Sequence, residues 1–255
     1  MQESPHLRSS LPKLQECLRR PAEYSPSSAT TSDATGRLWF STKKPVDDTA
    51  LRDIAASASK RCFDVCVAVL LLVILIPCLF MIAIAIKSTS PGPVLFRQLR
   101  YGLNNTLFRI YKFRTLYTEK SDQSGINQIQ WCDPRITPIG RILRRWNLDE
   151  LPQLLNVVKG DMSLVGPRPH VPGMLAAGVP YERLVPYYFQ RHRVRPGITG
   201  LAQAMGFRGS TEDATRAIAR IDMDLKYINS WSFQVDLWIL VETARKELIA
   251  AGNGH

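Results

Sequence analysis

Two carboxylates stand side by side in the stretch RRWNLDELPQLLNVVKGDMSLVGPRP, residues 144–169: Asp149 and Glu150. Arg144 lies just upstream, Asp161 follows, and Arg168 sits between two prolines that restrict its backbone. Further on, RHRVRPGITG supplies Arg193, Arg195 and a glycine-proline turn rich in N–H donors. These are parts for phosphate chemistry: carboxylates to attack and to hold Mg2+, guanidinium groups to meet phosphate oxygens in pairs and to neutralise developing charge.

The pair also has a purely structural reading. Asp149 and Glu150 followed by Pro152 make a good helix N-terminus, with an acceptor at the cap, negative charge in the first turn and a proline where a missing N–H costs little. The two readings are compatible. A carboxylate at a helix N-terminus is stabilised in its ionised form, which is the nucleophilic one.

The chain has 255 residues, 45% of them hydrophobic, and a formal net charge of +11. That is enough apolar material for a substantial core, and the charge implies an anionic partner: nucleic acid, an acidic membrane surface or a phosphorylated small molecule. Cys17, Cys62, Cys66, Cys78 and Cys132 are scattered, with no Cys-x-x-Cys and no histidine at zinc-ligand spacing. Reduced thiols are expected, with no disulfide framework and no zinc. Residues 1–50 are polar and lack the apolar core of a cleavable secretory signal.

The elements that would carry the carboxylates begin with an apolar segment. Residues 65–86, VCVAVLLLVILIPCLFMIAIAI, are all uncharged. As a helix they would reach roughly 33 Å, enough for a bilayer core of ~30 Å. The buried helix of a soluble protein is the alternative. Pro77 falls near its middle and should kink it. Lys60 and Arg61 precede the segment and Lys87, Arg97 and Arg100 follow it, so charge bias sets no orientation. Either the helix breaks at Pro77 and returns to the side it left, or it is an ordinary kinked transmembrane helix.

Residues 1–58 read as a polar, disordered tail, with room for a short helix in LPKLQECLRR. After the membrane segment, two turn signals frame the strand-like runs VLFRQL and LFRIYKF. From Thr137 onward the pattern is helical: PIGRILRRW, DELPQLLNVV, TEDATRAIARIDMDLKYI with Ile218, Ile221, Leu225 and Ile228 at helical spacing, and QVDLWILVETARKELI. Trp231, Phe233 and Trp238 suit either a core or a membrane interface.

Taken in order, KRCFDV, SPGPVLFRQLRYGLN, IYKFRTL, the dyad stretch through GPRP, RHRVRPGITGLAQ and DLKYINSWSFQVDLWIL resemble the bacterial sugar transferases of the monotopic phosphoglycosyl transferase superfamily. The resemblance covers about residues 60–245. It implies an α+β, mostly helical, monotopic membrane protein: a re-entrant membrane helix broken at a proline, here Pro77, over residues 59–90, and a cytosolic catalytic domain with amphipathic interfacial helices over residues 91–255. Ile76 stands where the family usually has a serine before that proline.

The implied reaction moves a hexose 1-phosphate, glucose 1-phosphate as the first choice, from a UDP-sugar to polyprenyl (undecaprenyl) phosphate with release of UMP, as the first membrane step of exopolysaccharide or other surface-glycan assembly. Asp149 resembles the nucleophile that takes up the phosphosugar, Glu150 the holder of Mg2+, Arg168 a phosphate-binding arginine, and Arg144 a residue that contacts the lipid phosphate or positions the dyad. Lys112 and Arg114 match the family pattern and are expected to line the site, with Arg195 as a further phosphate contact. The implied setting is the bacterial inner membrane with the catalytic domain in the cytosol. Membrane lipids and downstream glycosyltransferases are the implied partners, nucleic acid is not, and there is room for a homodimer.

Galactose and N-acetylated sugars are the alternatives for the same reaction. A non-enzymatic basic membrane scaffold explains the charge and the anchor but not the carboxylates between fixed arginines. His170 and His192 are read as hydrogen-bonding residues rather than bases, and Asp161 as a brace for the turn after it.

Overall fold

The computed structural model describes residues 31–32, 38–39, 46–48, 54, 57–120, 133–207, 209 and 211–252. Most of the 1–58 tail, the short helix expected in residues 11–20, Cys17, Cys132 and Arg208 lie outside the described residues. Within the tail, Thr31–Ser32 pairs antiparallel with Leu38–Trp39.

Helix α1, Ala58–Thr89, is 32 residues long and is the one helix among the described residues long and apolar enough to cross a membrane. Ser57 caps its start, accepting from the Lys60 amide at 3.1 Å. Pro77 deletes one backbone donor, yet helical residues continue on both sides of it. A single seam runs the length of α1 at helical spacing. Lys60, Asp64, Ala68, Ile82 and Ile86 are buried, and Leu72, Leu75 and Leu79 pack partly buried between them. The opposite face leaves Leu70, Val73, Ile74, Ile76, Phe80 and Met81 exposed. The start of α1 joins the main core with Leu154, Val157, Leu164, Val235 and Ile239, while its end packs on Phe113 and Leu143. Both ends of the apolar helix therefore rest on one folded body.

Strands β1 (Leu95–Tyr101) and β2 (Leu107–Phe113) form an antiparallel hairpin, with Leu95 opposite Phe113 and Tyr101 opposite Leu107. Its turn uses Asn104 and Asn105 at positive φ, a region asparagine tolerates because its side chain can bond locally. The free edge of β2 is taken by one side chain. Asn156 accepts from the Tyr111 amide at 2.9 Å and donates to the Arg109 carbonyl at 2.8 Å, pairing the strand with the helix that carries it.

Helices α2 (Pro138–Arg145) and α3 (Gln153–Lys159) follow. Thr137 caps α2 through the Gly140 amide, and Gly160 ends α3 in the left-handed conformation at φ +96°. Strand β3 (Ser163–Val165) pairs in parallel with β4 (Gly197–Thr199), which lays the GPRP turn against the RPGITG turn. The approach is close enough to require glycine: a Cβ on Gly197 would stand 2.1 Å from the Gly166 nitrogen. Helices α4 (Ala214–Asn229) and α5 (Phe233–Gly252) complete the core. Lys60 ties α1 to them. Its ammonium donates to Asp236 at 2.6 Å, Tyr227 donates to the same carboxylate at 2.8 Å, and both also reach the Val165 carbonyl. The architecture is α+β and mostly helical.

Candidate active site

Asp149 and Glu150 sit in the joint between α2 and α3. Asn147, at φ +51°, turns the chain out of α2, and Leu148–Glu150 then makes one tight 3-10 turn before α3 starts. Pro152, which has no capping side chain, occupies the cap position of α3. The dyad thus does not cap α3 as the residue types alone suggest; the left-handed Asn147 shifts it one turn earlier, where its carboxylates meet cations instead.

Those cations divide the pair. Glu150 Oε1 accepts from Lys112 Nζ at 2.7 Å and from Arg168 Nη2 at 2.6 Å, and Oε2 faces Arg168 Nη1 at 3.3 Å. Burial opposes the Glu150 charge, but Arg168 and Lys112 outweigh it and hold this carboxyl well below its usual range. Asp149 makes no hydrogen bond through its carboxylate among the described residues. Burial, joined by the Glu150 charge, pushes its carboxyl above the usual range; Lys112, Arg144 and Arg168 pull the other way without cancelling that. One carboxylate is locked and the other stands free beside it.

Arg168 reaches the dyad from a segment that cannot hold itself in place, because Pro167 and Pro169 carry no N–H. Its carbonyls are held instead. Gly197 N donates to Pro167 O at 3.0 Å, Arg100 Nη1 to Pro169 O at 3.1 Å, and Tyr101 N to His170 O at 3.0 Å.

The other expected site residues separate into two groups. Lys112 comes from β2 directly onto Glu150, and Arg144, half-buried in the last turn of α2, is close enough for its charge to act on Asp149. Arg114 does not join them. Its guanidinium turns into the end of α1, donating to Ser90 O at 2.8 Å, Ser90 Oγ at 3.0 Å, Thr118 Oγ1 at 2.7 Å and the Pro91 carbonyl. Arg195 does not reach the dyad either; its Nε donates to Gly160 O at 3.0 Å, at the far end of α3. Arg193 pairs on the surface with Asp48. Asp161 accepts from Asn156 Nδ2 at 3.1 Å and so steadies the side chain that binds β2.

His170 and His192 are buried, with Nδ1 of the first against Tyr188 Oη at 3.1 Å and of the second against Asn105 Oδ1 at 2.7 Å. Burial, reinforced by Arg191, pushes the His192 imidazole down to about 3 and His170 well below its normal range, so both are neutral at pH 7. Sequence reasoning gave no role to Arg100 or Arg191, whose partners lie far along the chain; a basic residue facing a Pro-Arg-Pro carbonyl has no local signature.

Among the described residues no three His, Cys, Asp or Glu side chains gather to hold a metal. Mg2+ does not need such a cage, since it is commonly bound by one or two carboxylates together with substrate phosphates. The donor set fits that mode: Glu150 Oε2 receives only the longer of the two Arg168 bonds, and the Asp149 oxygens are unbonded.

The family model described as bacterial sugar transferase matches residues 55–250. The exopolysaccharide production protein PSS of Rhizobium leguminosarum bv. phaseoli is 52% identical over 189 residues, covering 74% of this chain and 94% of that protein. The undecaprenyl-phosphate glucose phosphotransferase of Komagataeibacter xylinus is 48% identical over 75% of this chain, but only 36% of that longer protein is spanned. The UDP-glucose:undecaprenyl-phosphate glucose-1-phosphate transferase of Caulobacter vibrioides is 47% identical over 79% of this chain and 74% of its own length. The match runs through α1, the dyad and both glycine-proline turns, and the chain belongs to the bacterial sugar transferase family.

Proposed function

We propose that the chain transfers a hexose 1-phosphate from a UDP-sugar to polyprenyl phosphate and releases UMP, with Asp149 as the covalent nucleophile. The division of the dyad carries the proposal: a carboxylate free of hydrogen bonds stands next to one whose partners, Lys112 and Arg168, are donors suited to phosphate oxygens. Glucose is the favoured sugar, on the names of the Komagataeibacter and Caulobacter relatives.

In the first half-reaction an Asp149 oxygen attacks the sugar-bearing phosphorus. A bond forms from Oδ to phosphorus, and the bond from phosphorus to the bridging oxygen breaks with its electron pair leaving on UMP. In the second, an oxygen of polyprenyl phosphate attacks the same phosphorus, the bond to Asp149 breaks, and the carboxylate is restored as the polyprenyl diphosphate sugar departs. Arg168 and Lys112 orient the phosphate and offset its charge, while Arg144, whose charge acts on Asp149, contacts the acceptor phosphate or positions the dyad. Mg2+, held by Glu150 with the diphosphate, would supply further charge neutralisation.

A re-entrant membrane insertion of α1 is supported by the two ends of α1 resting on one body, and the cytosolic side of the inner membrane is the face this reading assigns to that body. An interfacial position of the helices is supported by exposed apolar side chains on elements that touch α1: Ile142 and Trp146 by α2, Leu155 and Val158 on α3, and Leu237 and Val241 on α5.

The test is product identity. Purified protein in detergent, given Mg2+, undecaprenyl phosphate and UDP-glucose, UDP-galactose or UDP-N-acetylglucosamine separately, should release UMP from one donor and not when Asp149→Asn is used. Without acceptor, intact-mass measurement should find the hexose-phosphate adduct on the parent chain. UDP as the product would mean that the sugar alone moves, and the covalent phosphosugar mechanism would be wrong.

A further inference from the structure

We propose that Arg191, paired with Asp224 in the interior, is a positioning residue for Arg168, holding its backbone so that its guanidinium stays aimed at the dyad and the substrate phosphate. The inference rests on the reading of Arg168 as a phosphate-binding group.

Arg191 Nε donates to Asp224 Oδ2 at 2.9 Å, and Nη2 lies 2.7 Å from the same oxygen. That Nη2 also donates to the backbone carbonyl of Arg168. The two side chains are 0% and 2% exposed, so an entire ion pair is held out of water. Burying such a pair is expensive, and well-packed apolar residues commonly serve a core at least as well. The placement makes sense if the pair has work beyond packing, and the carbonyl it holds belongs to the residue that grips Glu150.

Of the four successive carbonyls at residues 167–170, two are held by backbone amides and two by guanidinium groups, Arg191 on Arg168 and Arg100 on Pro169. With no N–H from Pro167 or Pro169, these accepted bonds hold the backbone from which the Arg168 side chain leaves toward Glu150. Arg191 is itself fixed twice, by Asp224 from α4 and by the face of Tyr188, whose ring centroid lies 5.5 Å from its guanidinium carbon. Its buried Nη1 finds no hydrogen-bond acceptor among the described residues, so Asp224 and the Arg168 carbonyl are the hydrogen-bond acceptors that orient the group.

The experiment is a double-mutant cycle read as kcat/KM for UMP release, with melting temperature recorded for each protein. Asp224→Asn should lower kcat/KM about tenfold to a hundredfold, the loss expected when a phosphate-binding group drifts by about 1 Å. Combined with Arg168→Ala, the same substitution should change kcat/KM by less than about twofold, because there is no longer a guanidinium to aim. Equal fold-losses in both backgrounds would show a general structural role and overturn the inference. If Asp224→Asn does not accumulate as folded protein, Arg191→Lys takes its place, since it keeps the charge beside Asp224 and loses the reach to the carbonyl. Failure of both to fold would mark the pair as a requirement of the fold alone and equally overturn it. An Arg168→Ala enzyme as active as the parent would instead remove the phosphate-binding role itself, and the positioning role with it.

Discussion

Arg168 closes on Glu150 with both terminal nitrogens, at 2.6 and 3.3 Å, while the carboxylate of the adjacent Asp149 has no hydrogen bond among the described residues. Adjacent carboxylates of one short turn therefore have different chemistry. Asp149→Asn is expected to abolish the hexose-phosphate adduct, whereas Glu150→Gln should still form it, more slowly and with a half-saturating Mg2+ concentration raised about tenfold or more. Mass measurement of the adduct across a Mg2+ titration separates the two. An unaltered Mg2+ dependence in Glu150→Gln would take the metal away from that residue.

The Asp149 carboxyl is pushed up mainly by burial and is held back by Lys112 first and Arg144 after it. In the proposed mechanism the ionised form attacks, so the first half-reaction should lose rate as pH falls through this raised value, at a higher pH than an ordinary carboxylate would give. Lys112→Met removes the strongest downward pull and should move that acid limb to still higher pH. Single-turnover UMP release is the measurement, because the diphosphate of the donor does not titrate in this range. A limb that stays in place, or moves to lower pH, would separate Lys112 from Asp149.

Arg114 fastens the end of α1 to the chain beyond the hairpin and makes no contact with the dyad. Arg114→Ala leaves the buried Ser90 carbonyl and the more exposed Pro91 carbonyl without this donor, at a cost of about 1–3 kcal/mol, set mainly by Ser90. Its melting temperature should fall while KM for the UDP-sugar, measured on the folded fraction, stays within about twofold. A selective rise in KM with unchanged stability would return Arg114 to the phosphate site.

That contrast shows what was legible in the sequence. Asp149 and Glu150 could be found because they are neighbours, and α1 because residues 65–86 are uncharged. Lys112 and Arg114 look equivalent at a strand period of two. However, β2 ends at Phe113, so Arg114 lies beyond the last pleat and its side chain follows the turn instead of the strand face. Arg195 similarly precedes β4, which begins at Gly197, and is spent on the end of α3. The left-handed Asn147 that moves the dyad off the helix cap has no signal stronger than its residue type. Arg191 and Asp224 are 33 residues apart on separate elements, a pairing that only the packing of α4 creates.

The seam along α1 makes a prediction about topology. A helix of 32 residues would measure ~48 Å, more than a bilayer core of ~30 Å, so length alone permits a full crossing. Packing does not. If the far end lay on the opposite side, Ile82 and Ile86 would have to leave Phe113 and Leu143, and Arg114 would lose Ser90, while Lys60 remained bound to Asp236. Ser59 and Ser88 are both exposed near the two ends. Introduced singly as cysteines in a background without the native ones, Ser59→Cys and Ser88→Cys should both react with a membrane-impermeant maleimide from the cytosolic side only, and Ile74→Cys from neither. Labelling of the two ends from opposite sides would mean that α1 crosses the membrane and that its packing against the catalytic body gives way when it does.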